Sequence, residues 1–272
     1  MEVRELVNLI PYKKADIRAN ADIIGAALDS REVKGGNLFF AAKGKNTDGN
    51  VYAASALENG AAAVIMDSPA LYEKVEGSKL LVENSLISLQ RLAHFRISNY
   101  RGRKVAVTGS FGKTGVKDML YSVLKERYNA YATFGNHNNR LGLDLTIAGI
   151  PTETEAAVFE IGSNAPGEIL ELSKFINPDA AIVTGAGFAH IGRFGSLEAA
   201  AKEKLSIIDA MREGATLIVN EDLRSYIEKF YPQPHIKVIY FGKRDSSDIY
   251  LVHFEANGLK AQAKYSVFGA PF

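Results

Sequence analysis

A chain of 272 residues, 47% of them hydrophobic, has the length of about two domains and enough apolar material to give each a core. Its 32 Lys and Arg against 31 Asp and Glu leave a formal net charge of +1, which argues against the broad basic field of non-specific nucleic-acid binders, and no long like-charge run suggests an interaction tail. With no cysteine, disulfides and thiolate zinc sites are excluded.

Met1 to Asn20 mixes Glu2, Arg4, Glu5, Lys13 and Lys14 among its apolar residues and so lacks a signal-peptide core. No later apolar run is long enough to span a bilayer, and a soluble cytoplasmic protein is expected. The first hundred residues read as a small α/β unit. Asn37 to Ala42 and Ala62 to Met66 form buried strands, Leu80 to Val82 is a candidate third, and Val51 to Asn59 is helix-like. A helix from Leu86 to Tyr100 follows, and the basic run Arg101-Gly102-Arg103-Lys104 marks a domain boundary.

From Lys104 onward strands alternate with helices. Strands are expected at Val105 to Val107, Ala156 to Glu160, Ala180 to Thr184, Ala215 to Val219 and Lys237 to Phe241. Helices are expected at Val116 to Arg127, Glu168 to Phe175, Leu197 to Met211 and Leu223 to Phe230. This alternation predicts a mostly parallel sheet covered by helices on both faces, with ligands at the carboxyl ends of its strands. Ile249 to Phe254 and Leu259 to Tyr265 flank Asn257-Gly258, a hairpin signal.

The chemistry begins at Thr108-Gly109-Ser110-Phe111-Gly112-Lys113-Thr114, between an apolar strand and a helix. Glycines let the backbone approach a polyphosphate, amides at the helix start point at its oxygens, Lys113 supplies charge, and the Thr114 hydroxyl can ligate magnesium. The spacing departs from the general pattern, since Val107 stands where the first glycine belongs, and a Gly-Lys-Thr also arises by chance in surface loops.

Other segments fall where loops should converge on it. Glu160, at a strand end before Ile161-Gly162-Ser163-Asn164, is either a carboxylate in a solvated turn or a hard oxygen donor for magnesium. His190, in the glycine-rich run up to Ser196, is either structural or catalytic. Lys202 and Lys204 would ordinarily be solvated surface residues. Gly135 to Gly142 is too dense in amides and glycines for a strand or helix and is expected to be a loop. Such a loop is either a mere turn or a means of recognising a polar ligand.

Together these segments resemble the Mur ligase family, the ATP-dependent amide-bond-forming enzymes of peptidoglycan precursor synthesis. There a Thr-Gly-x-x-Gly-Lys-Thr loop replaces the longer pattern. Asp29-Ser30-Arg31 with Gly36 to Phe39 and Gly44 to Gly49 looks like the family's N-terminal UDP-sugar-binding domain, and Asn136 to Gly142 like its Asn-rich loop. Glu160 to Asn164 with Pro166 to Ile169, and Ala189-His190 with Phe194-Gly195-Ser196, look like two further family stretches.

The resemblance implies an α/β fold, with a UDP-precursor-binding domain over residues 1–100 and a mostly parallel-sheet P-loop ATPase domain over 101–272. Gly109, Ser110, Gly112 and Lys113 would bind ATP, with Asn220 near the adenine. Thr114 and Glu160 would hold one Mg2+ and His190 would help hold a second. Lys204, rather than Lys202, aligns with the lysine that the family carbamylates, so Lys113, Lys204 and His190 are the implied catalytic set. Ser30, Arg31, Lys43, Asp48, Asn138 and Asn139 would contact the substrate.

The implied reaction activates UDP-N-acetylmuramoyl tripeptide as an acyl phosphate, which the amine of D-alanyl-D-alanine then attacks. Gly115 departs from the hydroxyl residue usual in relatives. The family's C-terminal domain is expected to be absent and the central domain incomplete, so this monomeric chain is expected to ligate poorly. Alternatives are a relative adding the third peptide residue, disfavoured by the Phe194-Gly195-Ser196 match, and a non-catalytic module that binds the UDP-linked precursor.

Overall fold

Ala63 to Met66 is apolar at every position, the pattern of a strand buried on both faces, and it lies in the interior of a sheet. The computed structural model describes residues 1–18, 20–44, 47–187, 194–257 and 260–271. The expected Asn257-Gly258 turn lies partly, and His190 wholly, outside them. The chain divides into two compact units, Met1–Gly102 with Tyr128–Glu155, and Arg103–Arg127 with Ala156–Phe272.

The first unit begins with helix α1 (Leu6–Leu9) and strands β1 (Lys14–Asp16), β2 (Gly25–Ala27) and β3 (Asn37–Ala41). Next come α2 (Ala53–Glu58), β4 (Ala63–Met66), α3 (Pro69–Tyr72), β5 (Lys79–Leu81) and α4 (Ser85–Asn99). The sheet order is β1-β5-β4-β3-β2, with β2 to β5 parallel and β1 antiparallel to β5. Strand alternation sends Leu38, Phe40 and Ile65 into one apolar cluster with Leu89 and Leu92 of α4. Phe39, Val64 and Met66 enter another with Ala53 and Ala56 of α2.

From Arg103 the chain forms β6 (Arg103–Thr108) and α5 (Lys113–Leu124) in the second unit, then returns to the first for β7 (Ala130–Ala132) and α6 (Arg140–Ala148). Leu145 and Ala148 of α6 belong to the same cluster as Phe40 and Leu89. The expectation that Gly135 to Gly142 is all loop is corrected here. The Asn139 side chain accepts from Gly142 N at 2.9 Å, so an amide that argued against helix is the cap that starts one.

The second unit continues with β8 (Ala156–Glu160), α7 (Glu168–Ile176), β9 (Ala180–Val183), α8 (Leu197–Leu205), β10 (Thr216–Asn220) and α9 (Arg224–Phe230). It closes with β11 (Lys237–Gly242), β12 (Ile249–Asn257), β13 (Lys260–Val267) and β14 (Ala270–Pro271). Its strands run in the order β14-β13-β12-β11-β10-β9-β6-β8, parallel from β8 through β12 and antiparallel in the last two pairings. Among the described residues no helix is long and apolar enough to cross a membrane.

Candidate functional site

The loop after β6 is built by two glycines with positive φ. Gly109, at +144°, lies so close to β9 that an added Cβ would sit 2.1 Å from Thr184 Oγ1, and Gly112, at +75°, is the N-cap of α5. Around the turn, Ser110 N donates to Gly185 O at 2.9 Å, and the Thr184 hydroxyl donates to Phe111 O. Lys113 Nζ donates to Gly109 O at 2.8 Å, folding its ammonium back over the loop. Thr114 is half-buried in the first turn of α5. The loop is therefore a ring of backbone at a helix N-terminus with a cation across it, an arrangement that accepts phosphate.

Strand β8 lies beside β6 in parallel register, with Glu160 opposite Val107. Glu160 is 1% exposed at the carboxyl end of β8, so a carboxylate lies at the same end of the sheet as the loop. Residue Ser163, three positions on, accepts from Lys204 Nζ at 2.6 Å. Lys204 is 4% exposed, whereas Lys202 is exposed with its ammonium over the Phe230 ring, so the two lysines of α8 have separate surroundings. Burial, followed by the charge on Lys113, lowers the Lys204 pKa to about 8 against the opposing pull of Glu203 and Glu168. The charge of Lys113 is thus felt at the Lys204 amine.

Sequence reasoning passed over Glu203 and Thr184. Glu203 is buried and accepts from Gly167 N at 2.7 Å and Ile169 N at 2.9 Å, capping α7 from another helix. Glu168 folds back to accept from Asn164 N and Ala165 N, so the loop after β8 is held from two sides. A carboxylate between two lysines gives no sequence signal of such a task. For Thr184, its position beside Gly185 at the end of β9 was the available hint.

Asn220 ends β10, donates to Thr184 O at 3.4 Å and accepts from Asp222 N at 3.0 Å. The set Gly109, Ser110, Gly112, Lys113, Thr114, Glu160, Lys204 and Asn220 is therefore gathered in the second unit at the carboxyl ends of β6, β8 and β10 or in elements joined to them. Among the described residues no group of three or more His, Asp or Glu side chains is arranged to hold a metal.

Ser30, Arg31, Lys43, Asp48, Asn138 and Asn139 all belong to the first unit. Ser30 is buried and its carbonyl accepts from Asn59 Nδ2 at 2.9 Å, while Arg31 is largely exposed and paired with Asp29. The Arg31 guanidinium, helped by the Arg31 backbone amide, brings Asp29 down to about 2. Lys43 and Asp48 form a two-residue antiparallel bridge at the base of their loop. Asp48 accepts from the buried Asn50, whose amide also donates to Asp67 Oδ1 at 2.7 Å and accepts from Asp67 N at 3.0 Å. Asn50 is a further residue the sequence did not flag. Asn138 is half-buried, and the Asn139 side chain is committed to its cap.

Comparison with known proteins places this geometry in context. Residues 107–269 match the Mur ligase middle domain, and residues 22–101 match the Mur ligase family, catalytic domain. The UDP-N-acetylmuramoyl-tripeptide--D-alanyl-D-alanine ligase of Bacillus subtilis (strain 168) is 41% identical over 217 residues, covering 79% of this chain and 48% of that protein. The crystal structure of the MurF ligase from Thermotoga maritima in complex with ADP matches with a TM-score of 0.70 and 33% identity, covering 92% of this chain and 57% of that one. A crystal structure of MurF from Acinetobacter baumannii matches with a TM-score of 0.72 and 26% identity over 99% of this chain and 59% of that one. The chain spans about half the length of the curated relatives it matches.

Proposed function

Because the chain belongs to the Mur ligase family, we propose that it carries the precursor-binding and nucleotide-binding parts of an ATP-dependent, ADP-forming amide ligase of peptidoglycan precursor synthesis. The step is the addition of D-alanyl-D-alanine to UDP-N-acetylmuramoyl tripeptide through an acyl phosphate, in the cytoplasm. The observation that carries this reading is the loop from Thr108 to Thr114 with Lys113 folded over it and Lys204 electrically coupled to Lys113. The name shared by the relatives supports the substrate assignment.

In this reading the amides of Gly109 and Gly112 cradle the β- and γ-phosphates, Ser110, whose own amide is held by Gly185 O, offers its hydroxyl, and Lys113 follows the charge as the γ-phosphoryl moves to the peptide carboxylate. Thr114 and the buried Glu160 are hard oxygen donors that suit Mg2+, which when bound neutralises phosphate charge. Lys204 is suited to carbamylation, because only the neutral amine adds to carbon dioxide. A pKa of about 8 leaves roughly a tenth of it neutral at pH 7. The resulting anion, with His190, would support a second ion. Asn220 serves the adenine side. Ser30, Arg31, Lys43, Asp48, Asn138 and Asn139 serve the uridine-linked precursor.

Calorimetric titration tests this directly. The precursors are the UDP-linked tripeptide and dipeptide, each with and without a magnesium-bound non-hydrolysable ATP analogue. A tripeptide preference of tenfold or more, about 1.4 kcal/mol, is expected, together with loss of analogue binding in Lys113→Ala. Binding of the analogue with neither precursor would remove the substrate assignment.

A further inference from the structure

The first unit contains a cavity of about 520 Å3, within the size range of small-molecule sites. It lies among the N-terminal helical segment, the last turns of α4 with the residues after it, and the segment 150–154. It shares no residue with the substrate set assigned above. Leu9, Phe95, Ile150 and Pro151 give it an apolar wall, and Phe95 is 42% exposed on a helix whose other large apolar residues are mostly buried.

At one side of this wall stands Arg96. Its guanidinium is fixed by donating to Ala148 O at 2.8 Å and to Ile150 O. Two of its five N–H groups are used in this way, which leaves three. Burial works against its charge, Tyr131 and Glu5 partly offset this, and no carboxylate among the described residues forms a salt bridge with it. Glu5 itself accepts from Glu2 N at 2.6 Å. Leaving the amino terminus aside, the charged lining residues are Arg96, Arg101 and Glu5, two positive against one negative, so one positive charge is uncompensated.

We propose that this cavity binds a small organic monoanion, a carboxylate on a flat apolar body, with Arg96 meeting the carboxylate and Phe95, Leu9 and Pro151 the body. A partly buried guanidinium held rigid by backbone carbonyls favours a planar carboxylate, because the fork is already oriented and little further side-chain entropy is lost. The site is independent of the ligase reading.

The test is an amide NMR titration of the 15N-labelled chain with naphthoate and, separately, with the neutral naphthalenemethanol of similar shape. Saturable shifts confined to residues 5–9, 95–102 and 150–154 are expected, with the alcohol binding at least tenfold more weakly. Arg96→Gln should abolish that discrimination. Asn99→Trp, a substitution at an exposed helical position of the lining, should weaken both probes while the rest of the spectrum stays that of the folded chain. The proposal is overturned by equal affinity for acid and alcohol, by shifts confined to other residues, or by no shift at millimolar naphthoate.

Discussion

Lys204 Nζ donates to Ser163 Oγ at 2.6 Å, joining α8 to the loop after β8 across 41 positions of sequence. The bond places a buried amine near the phosphate loop, where Lys113 already supplies positive charge.

The lowered Lys204 pKa has a consequence for stability. The unfolded chain keeps this proton up to about its usual 10.5, whereas the folded chain releases it above about 8. Between those values the unfolded state binds more protons, so this residue's contribution makes stability rise with pH. The difference in urea midpoint between the parent chain and Lys204→Met should therefore move in the parent's favour from pH 7 to 10. A difference that stays flat would contradict the assignment.

Glu203→Ala removes two charge-assisted bonds and strands the amides of Gly167 and Ile169 at the start of α7. A loss of about 3 kcal/mol in chemical denaturation is expected. Hydrogen exchange should be faster at both amides, and unchanged protection there would show that the clamp is weak.

Two glycines of the phosphate loop region should respond in opposite directions. Gly109→Ala meets Thr184 Oγ1 and a positive φ, so the loop must shift and affinity for a magnesium-bound ATP analogue should fall at least tenfold. Gly115 lies in the first turn of α5 with nothing within 4 Å of an added Cβ. Gly115→Ala should raise stability by about 0.8 kcal/mol through helix propensity, read from the melting temperature.

In the first unit, Asn50→Ala leaves Asp67 N and Asp48 without their side-chain partner inside a buried site. A destabilisation of about 2 kcal/mol is expected, with faster proteolysis in the loop from Lys43 to Asp48. A variant as stable as the parent would show that water replaces the amide at no cost.

The strands and helices of the second unit from β6 to β11 were legible in sequence because their determinants are local, whereas β7 and α6, which fold with the first unit, were not. Apolar runs such as Ala180 to Val183 set the strands, and Gly109, Gly112 and Lys113 carry the phosphate-loop chemistry in their own spacing. Strand β1 and helix α3, only 3 and 4 residues long, have too little periodicity to register. In Asn136 to Gly142 the local signal misled, since Asn139 suits a turn and a helix cap equally. Residue types alone determined that this chain has two α/β regions and a phosphate loop. Tertiary structure decided that residues 128–155 fold with the first unit, that Lys204 rather than Lys202 is buried, and that Glu203, Thr184 and Asn50 brace the loops. The physical reason is that burial and hydrogen bonding between residues tens of positions apart depend on which surfaces meet, and no local periodicity encodes that.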